Sequence, residues 1–300
     1  MQSTSSCRAI AIALLTMVSG AVQAQEAGWT PFVSLTPVYQ GKGDLDGGGD
    51  YSALSTILRA GMLGDLGGGR RAGVVLNYDY TNYDFSSPAA FGGIAPWGAV
   101  QRYGIAAPLS MALSDGWFVG LTPSFDWIHE KGAQVDESLT WGAVFSATKF
   151  YADGNRIGFG LAVFDRLDET SVFPLLIVDW KLSDRWRLTN PLPAGPTGPA
   201  GLELDYRFDG GWNLGIGVAR RSTRFRLSET GPVANGVGRE QGVPVFLRAT
   251  RGFGPGVSLN LYAGFVTAGQ LRVEDSSGQV VRSVDVGTQP LLGATLSARF

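Results

Sequence analysis

"GWFVGLTPSFDWIHE", residues 116–130, alternates along almost its whole length. In an extended strand successive side chains point to opposite faces. Trp117, Val119, Leu121, Pro123, Phe125 and Trp127 therefore fall on one face, and Phe118, Gly120, Thr122, Ser124 and Asp126 on the other. Trp117 and Trp127 lie about ten residues apart, roughly 33 Å of strand at about 3.3 Å per residue. Tilted by about 40°, that length spans roughly 25 Å, the height of the apolar band of a membrane barrel. A soluble sandwich would turn the apolar face inward. A membrane barrel turns it toward lipid, keeps a polar interior, and closes on itself because no backbone group can stay unpaired in hydrocarbon.

The same pattern recurs. "WNLGIGVA" (212–219) sets Trp212, Leu214, Ile216 and Val218 against Asn213, Gly215, Gly217 and Ala219; "LELDYRF" (202–208) sets Leu202, Leu204, Tyr206 and Phe208 against Glu203, Asp205 and Arg207. Short turn signals stand at 64–69, 114–116, 152–155, 183–184, 209–211 and 253–256, with longer loops between them at 41–49, 84–97, 129–137, 165–170, 191–200, 228–242 and 270–289. Six short turns alternating with seven loops predict a single antiparallel up-and-down barrel, all-β, of about fourteen strands with both chain ends on the short-turn side. The ninth strand, "RWRLTN" at 185–190, has the least support, and a count of twelve stays open. Trp29, Trp97, Trp117, Trp127, Trp141, Trp180, Trp186 and Trp212 all stand near predicted strand ends, as two interfacial girdles require. The alternative is that they cap the core of a soluble barrel.

Residues 1–24 read as a cleaved secretory signal peptide, with Arg8 as the positive region, "IAIALLTMV" as a short apolar core, and small residues at Val22 and Ala24. The barrel then occupies residues 25–300. Cys7, the single cysteine, leaves with the leader. Removing Arg8 leaves 23 basic and 26 acidic residues, a balance that argues against a nucleic-acid partner. Together these features predict the outer membrane of a Gram-negative bacterium, with lipid and lipopolysaccharide as surroundings.

The last strand, "PLLGATLSARF" (290–300), is apolar on one face and finishes on Phe300, and it resembles the carboxy-terminal signature of Gram-negative outer-membrane barrels. That resemblance implies that Phe300 is part of the signal read by the barrel-assembly machinery. The stretch from Phe173 to Arg221, "FPLLIVDWKLSDRWRLTNPLPAGPTGPAGLELDYRFDGGWNLGIGVARR", is also similar to an uncharacterised family of outer-membrane barrels known only as a domain of unknown function, which implies no activity.

With the apolar face outward, the alternation turns Arg59, Asp79, Arg102, Asp126, Asp179, Glu203, Asp205, Arg207, Arg248 and Arg299 toward the lumen. They either line a water-filled pore that tunes selectivity or pair across the lumen and close it. Inward glycines such as Gly120, Gly158, Gly160, Gly215 and Gly217 leave space, and fourteen strands lie nearer the open sixteen than the filled eight. The favoured function is a porin-like passage for small solutes, with a closed structural or surface-interaction barrel as the rival. Loops 228–242 and 270–289 are the candidates for gating.

His129 is the single histidine, and a rim hydrolase would need it beside a nucleophilic hydroxyl that the sequence does not mark. A lipid-modifying enzyme is thus a distant third reading, and no catalytic residue, cofactor or metal site is expected. Asp44 and Asp46 match the start of a calcium loop, but Ser55 stands where that loop needs glutamate. "GDLGGGRR" lacks the ending of a phosphate loop. "ARRSTRFRL" gathers Arg220, Arg221, Arg224 and Arg226 near the outer leaflet, where they would contact lipopolysaccharide phosphates or another anion. "NPLPAGPTGPAG" (190–201) reads as a stiff proline-rich loop.

Overall fold

The computed structural model describes residues 28–300 apart from Asp168, Ala194 and Pro199. The predicted leader lies outside the described residues. Fourteen antiparallel strands close into one barrel. They are β1 (Trp29–Asp44), β2 (Asp50–Gly67), β3 (Arg70–Ser86), β4 (Val100–Ala106, resumed at Leu109–Ala112), β5 (Trp117–Glu130), β6 (Leu139–Phe150), β7 (Arg156–Arg166), β8 (Thr170–Lys181), β9 (Trp186–Thr189), β10 (Gly201–Arg207), β11 (Trp212–Ala219, resumed at Arg221–Arg226), β12 (Val237–Gly252), β13 (Val257–Glu274) and β14 (Val280–Val286, resumed at Gln289–Arg299). Pairing of β14 with β1 closes the ring, Leu35 opposite Leu296. The ninth strand is present but short, held by Leu188 opposite Trp180 on one side and Leu204 on the other. The turn between β2 and β3 runs through Gly67, Gly68 and Gly69, all with positive φ, a backbone that side chains with a Cβ rarely adopt.

Outward-facing positions form the exposed apolar belt that a bilayer covers: Phe125, Phe145, Phe159, Leu176, Ile216, Leu247, Leu261 and Leu292 are all exposed. Seven tryptophans lie on this face by register. Trp29, Trp117, Trp180, Trp186 and Trp212 stand at the short-turn end, and Trp127 and Trp141 at the loop end. Trp97 does not join them. It is 2% exposed and packs edge-on against Tyr83, Phe85 and Phe225 inside the loop end of the barrel. Its indole is brought inward by the β3–β4 loop, so it is a core residue and no part of a girdle.

The barrel narrows toward its loop end. β6 starts opposite Trp127, leaving the last residues of β5 free on that side, and the end of β11 crosses over to meet them, Arg226 bridging His129 in parallel. β6 to β10 stop below this level. Nine strands, β11 to β14 and β1 to β5, therefore form a closed collar above the wall of fourteen. At the foot of the collar the apolar face changes sides. On β13, Phe265 is 43% exposed toward lipid while Leu271 is 0% exposed, although both are odd-numbered. A register shift in β12–β13, with Ala268 at positive φ, inserts one residue between them and turns the strand over. β14 does the same at its break, exposing Leu292 and Leu296 below and burying Val284 and Val286 above. β1 shifts register between Gln40 and Gly43, and Leu45 enters the interior. Lipid is outside the wall and water is outside the collar, so the apolar side must turn inward where the bilayer ends.

What turns inward is a core of Leu45, Tyr51, Tyr83, Trp97, Val100, Phe225, Leu227, Leu271, Val273, Val284 and Val286. At about 1.5–3 kcal/mol for each large apolar side chain fully buried, this core stabilises the collar strongly. The expected loops at 228–242 and 270–289 shrink accordingly, because β12 already begins at Val237, β13 runs to Glu274, and Val280–Val286 is strand. The second is a hairpin closed by residues 275–279, not a long gating loop.

Candidate functional site

The ten charged residues expected in the lumen all lie by register on the face opposite the lipid belt. Those that form ion pairs do so along the wall, between neighbouring strands or across one intervening strand. Arg59 of β2 pairs with Asp79 of β3, Asp79 with Arg102 of β4 at 3.3 Å, and Arg102 with Asp126 of β5 at 2.8 Å. On the far side Arg248 of β12 reaches over β11 to Glu203 (2.6 Å) and Asp205 (3.2 Å) of β10. Gly215 on β11 makes that reach feasible, because a Cβ there would stand 2.0 Å from Glu203 Oε1 and 2.6 Å from Asp205 Oδ1. The Phe246 ring fills the space over Gly217 in the same way. These inward glycines are occupied by their neighbours' side chains and do not by themselves leave a passage.

A cavity of about 620 Å³ opens at the short-turn end, framed by β7 to β12. Arg156, Lys181, Arg185, Arg187, Arg207 and Arg248 line it with Asp179, Asp184 and Asp205, and Arg248 and Arg185 are paired with Glu203 and Asp209 beside it. Asp179 holds both Arg156 (3.2 Å) and Arg187. Lys181 pairs with Asp184 at 2.6 Å. Arg207 has no ion pair among the described residues. Arg156, Lys181, Arg185 and Arg187 were missed in the sequence because they sit at strand ends, where turn signals mask the alternation.

The inner end of the cavity is Asn190, Pro191, Leu192 and Pro193, the start of the β9–β10 loop. This loop is the stiff proline-rich segment read from the sequence. It folds into the barrel, burying Pro191, Gly195, Pro196 and Thr197. Gly195 lies beside Tyr262 of β13, and Pro196 against Gly293 of β14. Farther toward the loop end, Glu240 accepts hydrogen bonds from Tyr83 (2.6 Å), Tyr51 (3.2 Å) and Gln40 (3.2 Å), with Arg221 at 3.3 Å. The aromatic core of the collar covers this network. The lumen thus comprises an open basic vestibule, a proline-rich plug, and a sealed outer mouth.

The arginine cluster is the largest departure from expectation. Arg224 is buried and bound to Glu169 (2.5 Å), Glu274 (2.8 Å) and the Leu167 carbonyl. Arg226 donates to the carbonyls of Glu137 and Asn235, and Arg221 pairs with Glu240. Only Arg220 is exposed. The cluster fastens β11 into the collar instead of presenting a patch to lipopolysaccharide. In the loop joining β7 to β8, burial tends to raise the Glu169 carboxyl's affinity for its proton, but Arg239 and Arg224 outweigh it and hold that carboxyl below its usual range.

His129 lies by register on the outer side of β5 but is buried, stacked on Tyr103 with ring centroids 5.9 Å apart and with Nδ1 3.0 Å from the Glu130 carbonyl oxygen. No hydroxyl is bonded to it among the described residues. Asp50 of the acidic loop pairs with Lys42 at 3.0 Å, and among the described residues no group of three potential ligands is placed to hold a metal ion.

The family model described as "Domain of unknown function (DUF6268)" matches residues 131–283. Among solved structures, the COG4313 outer membrane channel from Pseudomonas putida F1 is similar over 94% of this chain and 98% of its own, with a TM-score of 0.51 and 13% identity. The toluene transporter TodX of Pseudomonas putida aligns over 90% of this chain and 89% of its own, with a TM-score of 0.41 and 12% identity. No curated protein matches the chain. The likeness to the first channel is one of fold: an outer-membrane β-barrel.

Proposed function

Because the chain belongs to the DUF6268 family, a domain to which no function is attached, we propose a function from its own lumen: passage of small solutes across the outer membrane. In this reading residues 1–24 direct export, residues 25–300 form the barrel, and Phe300 contributes to recognition by the assembly machinery. The observation that carries it is the vestibule of about 620 Å³, which enters the lumen from the short-turn end while the ion pairs of Arg59, Asp79, Arg102 and Asp126 stay against the wall. A closed structural barrel would have no use for a wide charged mouth at one end. The fold of an outer membrane channel supports the same reading.

The test is flux into intact cells that make the full chain, using a panel of small tracers from hydrophilic to amphipathic. Faster entry of any class than in cells lacking the chain supports the reading. The sealed collar favours a second reading, a closed structural barrel, and no gain for any tracer from folded, membrane-inserted protein would establish that one.

A further inference from the structure

The wall of fourteen strands is incomplete at one place. β8 runs from Thr170 to Lys181, yet β9 pairs with it only at Asp179, Trp180 and Lys181. Above that level the edge of β8 has no strand partner, and Pro174 stands in it, a residue that sheets tolerate at edges. The facing edge belongs to β11, whose pairing with β10 ends at Gly201 opposite Ala219. Asn190 forms the sill. It accepts from the Val178 amide (2.9 Å) and donates to the carbonyls of Leu176 and Gly201 (2.9 Å each). Arg166 to the Ser222 carbonyl (3.1 Å) and Arg224 to the Leu167 carbonyl (3.0 Å) form the lintel. The plug, seen in Pro191, Gly195, Pro196 and Thr197, springs from the sill and folds inward behind this window.

Outside the sill an apolar groove of about 270 Å³ runs between Leu188, Leu202, Leu204, Ile216, Val218 and Val245 on the lipid face. Inside, the vestibule ends on the plug itself. We propose that the lumen opens sideways: an amphipathic carboxylate passes between the vestibule and the outer leaflet through the window between β8 and β11 when the plug withdraws. The proposal rests on the transport reading. The axial exit would require dismantling the aromatic core of the collar, whereas the lateral exit displaces one short loop that buries Pro191, Gly195, Pro196 and Thr197. The solute class follows from the two surfaces that the path joins. In the vestibule Arg207, which has no ion pair among the described residues, suits an acid, and the groove suits an apolar body.

The plug can be locked. A Cβ on Gly293 would lie 3.5 Å from Pro196 Cβ, within the range a disulfide spans. Pro196→Cys with Gly293→Cys therefore tethers the plug under oxidation and frees it under reduction, and Cys7 is the chain's only other cysteine. Uptake of pyrene-labelled decanoate by intact cells is compared with entry of nitrocefin, a hydrophilic solute hydrolysed by a periplasmic β-lactamase. The expected result is decanoate uptake above that of cells lacking the chain when reduced, a fall to their rate when oxidised, and nitrocefin at background in both states. Equal decanoate uptake in both redox states overturns the proposal. Entry of both solutes under reduction, with both stopped by oxidation, makes the loop an axial gate and overturns the lateral route while sparing the transport reading. Entry of neither above background defeats both. If the double variant does not insert, Pro196→Gly decides: a loosened plug should raise decanoate uptake alone, and no rise overturns the proposal. Preference for the acid is read from pyrene-labelled decanol, and equal uptake of alcohol and acid, or no loss of that preference in Arg207→Gln, overturns the carboxylate assignment.

Discussion

Trp97→Ala is the most direct test of the collar. The indole is 2% exposed and lies edge-on to three rings, at centroid distances of 5.8 Å from Tyr83, 5.8 Å from Phe85 and 5.1 Å from Phe225. Truncating a buried tryptophan costs about 3–5 kcal/mol through lost transfer energy and the cavity left behind. Two features set where in that range it falls. The edge-on pairs each contribute about 0.5–1.5 kcal/mol beyond area. Against that, Nε1 is buried with no partner among the described residues, and its removal relieves a polar penalty of about 1–3 kcal/mol. The two roughly cancel, leaving a loss of about 3–4 kcal/mol on the cavity scale. Trp141 is 52% exposed on the lipid face, and Trp141→Ala should cost about 1 kcal/mol or less, in line with substitutions outside a packed core. Urea unfolding in lipid vesicles, followed by heat-modifiable gel mobility, compares the two variants directly. Equal losses, or a Trp97→Ala loss below about 1 kcal/mol, would return Trp97 to the girdle and refute the buried collar.

Arg248→Ala leaves Glu203, whose side chain is fully buried, facing Asp205 without a cation, and should cost about 3–5 kcal/mol in the same assay. Adding Glu203→Gln and Asp205→Asn should recover most of it, and a single variant as stable as the parent would show that the cluster is solvated. Glu169 has its carboxyl held low by Arg239 and Arg224, so the stability it adds is complete above the usual glutamate value of about 4.3 and is lost as pH falls through its lower folded value. Glu169→Gln should therefore flatten the acid limb of the unfolding midpoint measured between neutral pH and about pH 3, and an unchanged limb would count against the pairing.

The wall was legible because a bilayer imposes a simple rule. From Trp117 to Trp127 every second side chain lies on the lipid face, and the sequence shows it. The same rule placed Glu203, Asp205 and Arg248 on one inner face before any contact was known, since register and period fix the face of every strand residue together. Even "RWRLTN" kept enough alternation to mark a strand of four residues. Three features stayed hidden because they depend on distant partners. The proline-rich loop turns inward only because Tyr262 and Gly293, far along the chain, provide a surface for it. Arg224 is buried only because Glu169 and Glu274 converge on it. Trp97 is internal only because β11 brings Phe225 across the mouth.

The misread segment 270–289 carries a more general lesson. "QLRVE" (270–274) and "SVDV" (283–286) alternate like lipid-crossing strands, Leu271 and Val273 keeping the parity of Leu261 and Val284 and Val286 that of Leu292. What changes is the solvent. A one-residue shift on β13 and the breaks on β14 and β1 move the same apolar set from lipid to core, so the pattern continues while its meaning inverts. Without that inversion the strands would have to end at the bilayer surface, and the outer mouth would stay as wide as the wall. With it, nine strands rise past the wall and close over the axis, while among the described residues the five that stop short leave the upper edge of β8 without a strand partner on the side of β11. The collar and the window are therefore two results of one difference in strand length: what closes the barrel at its end is what confines any exit to its side.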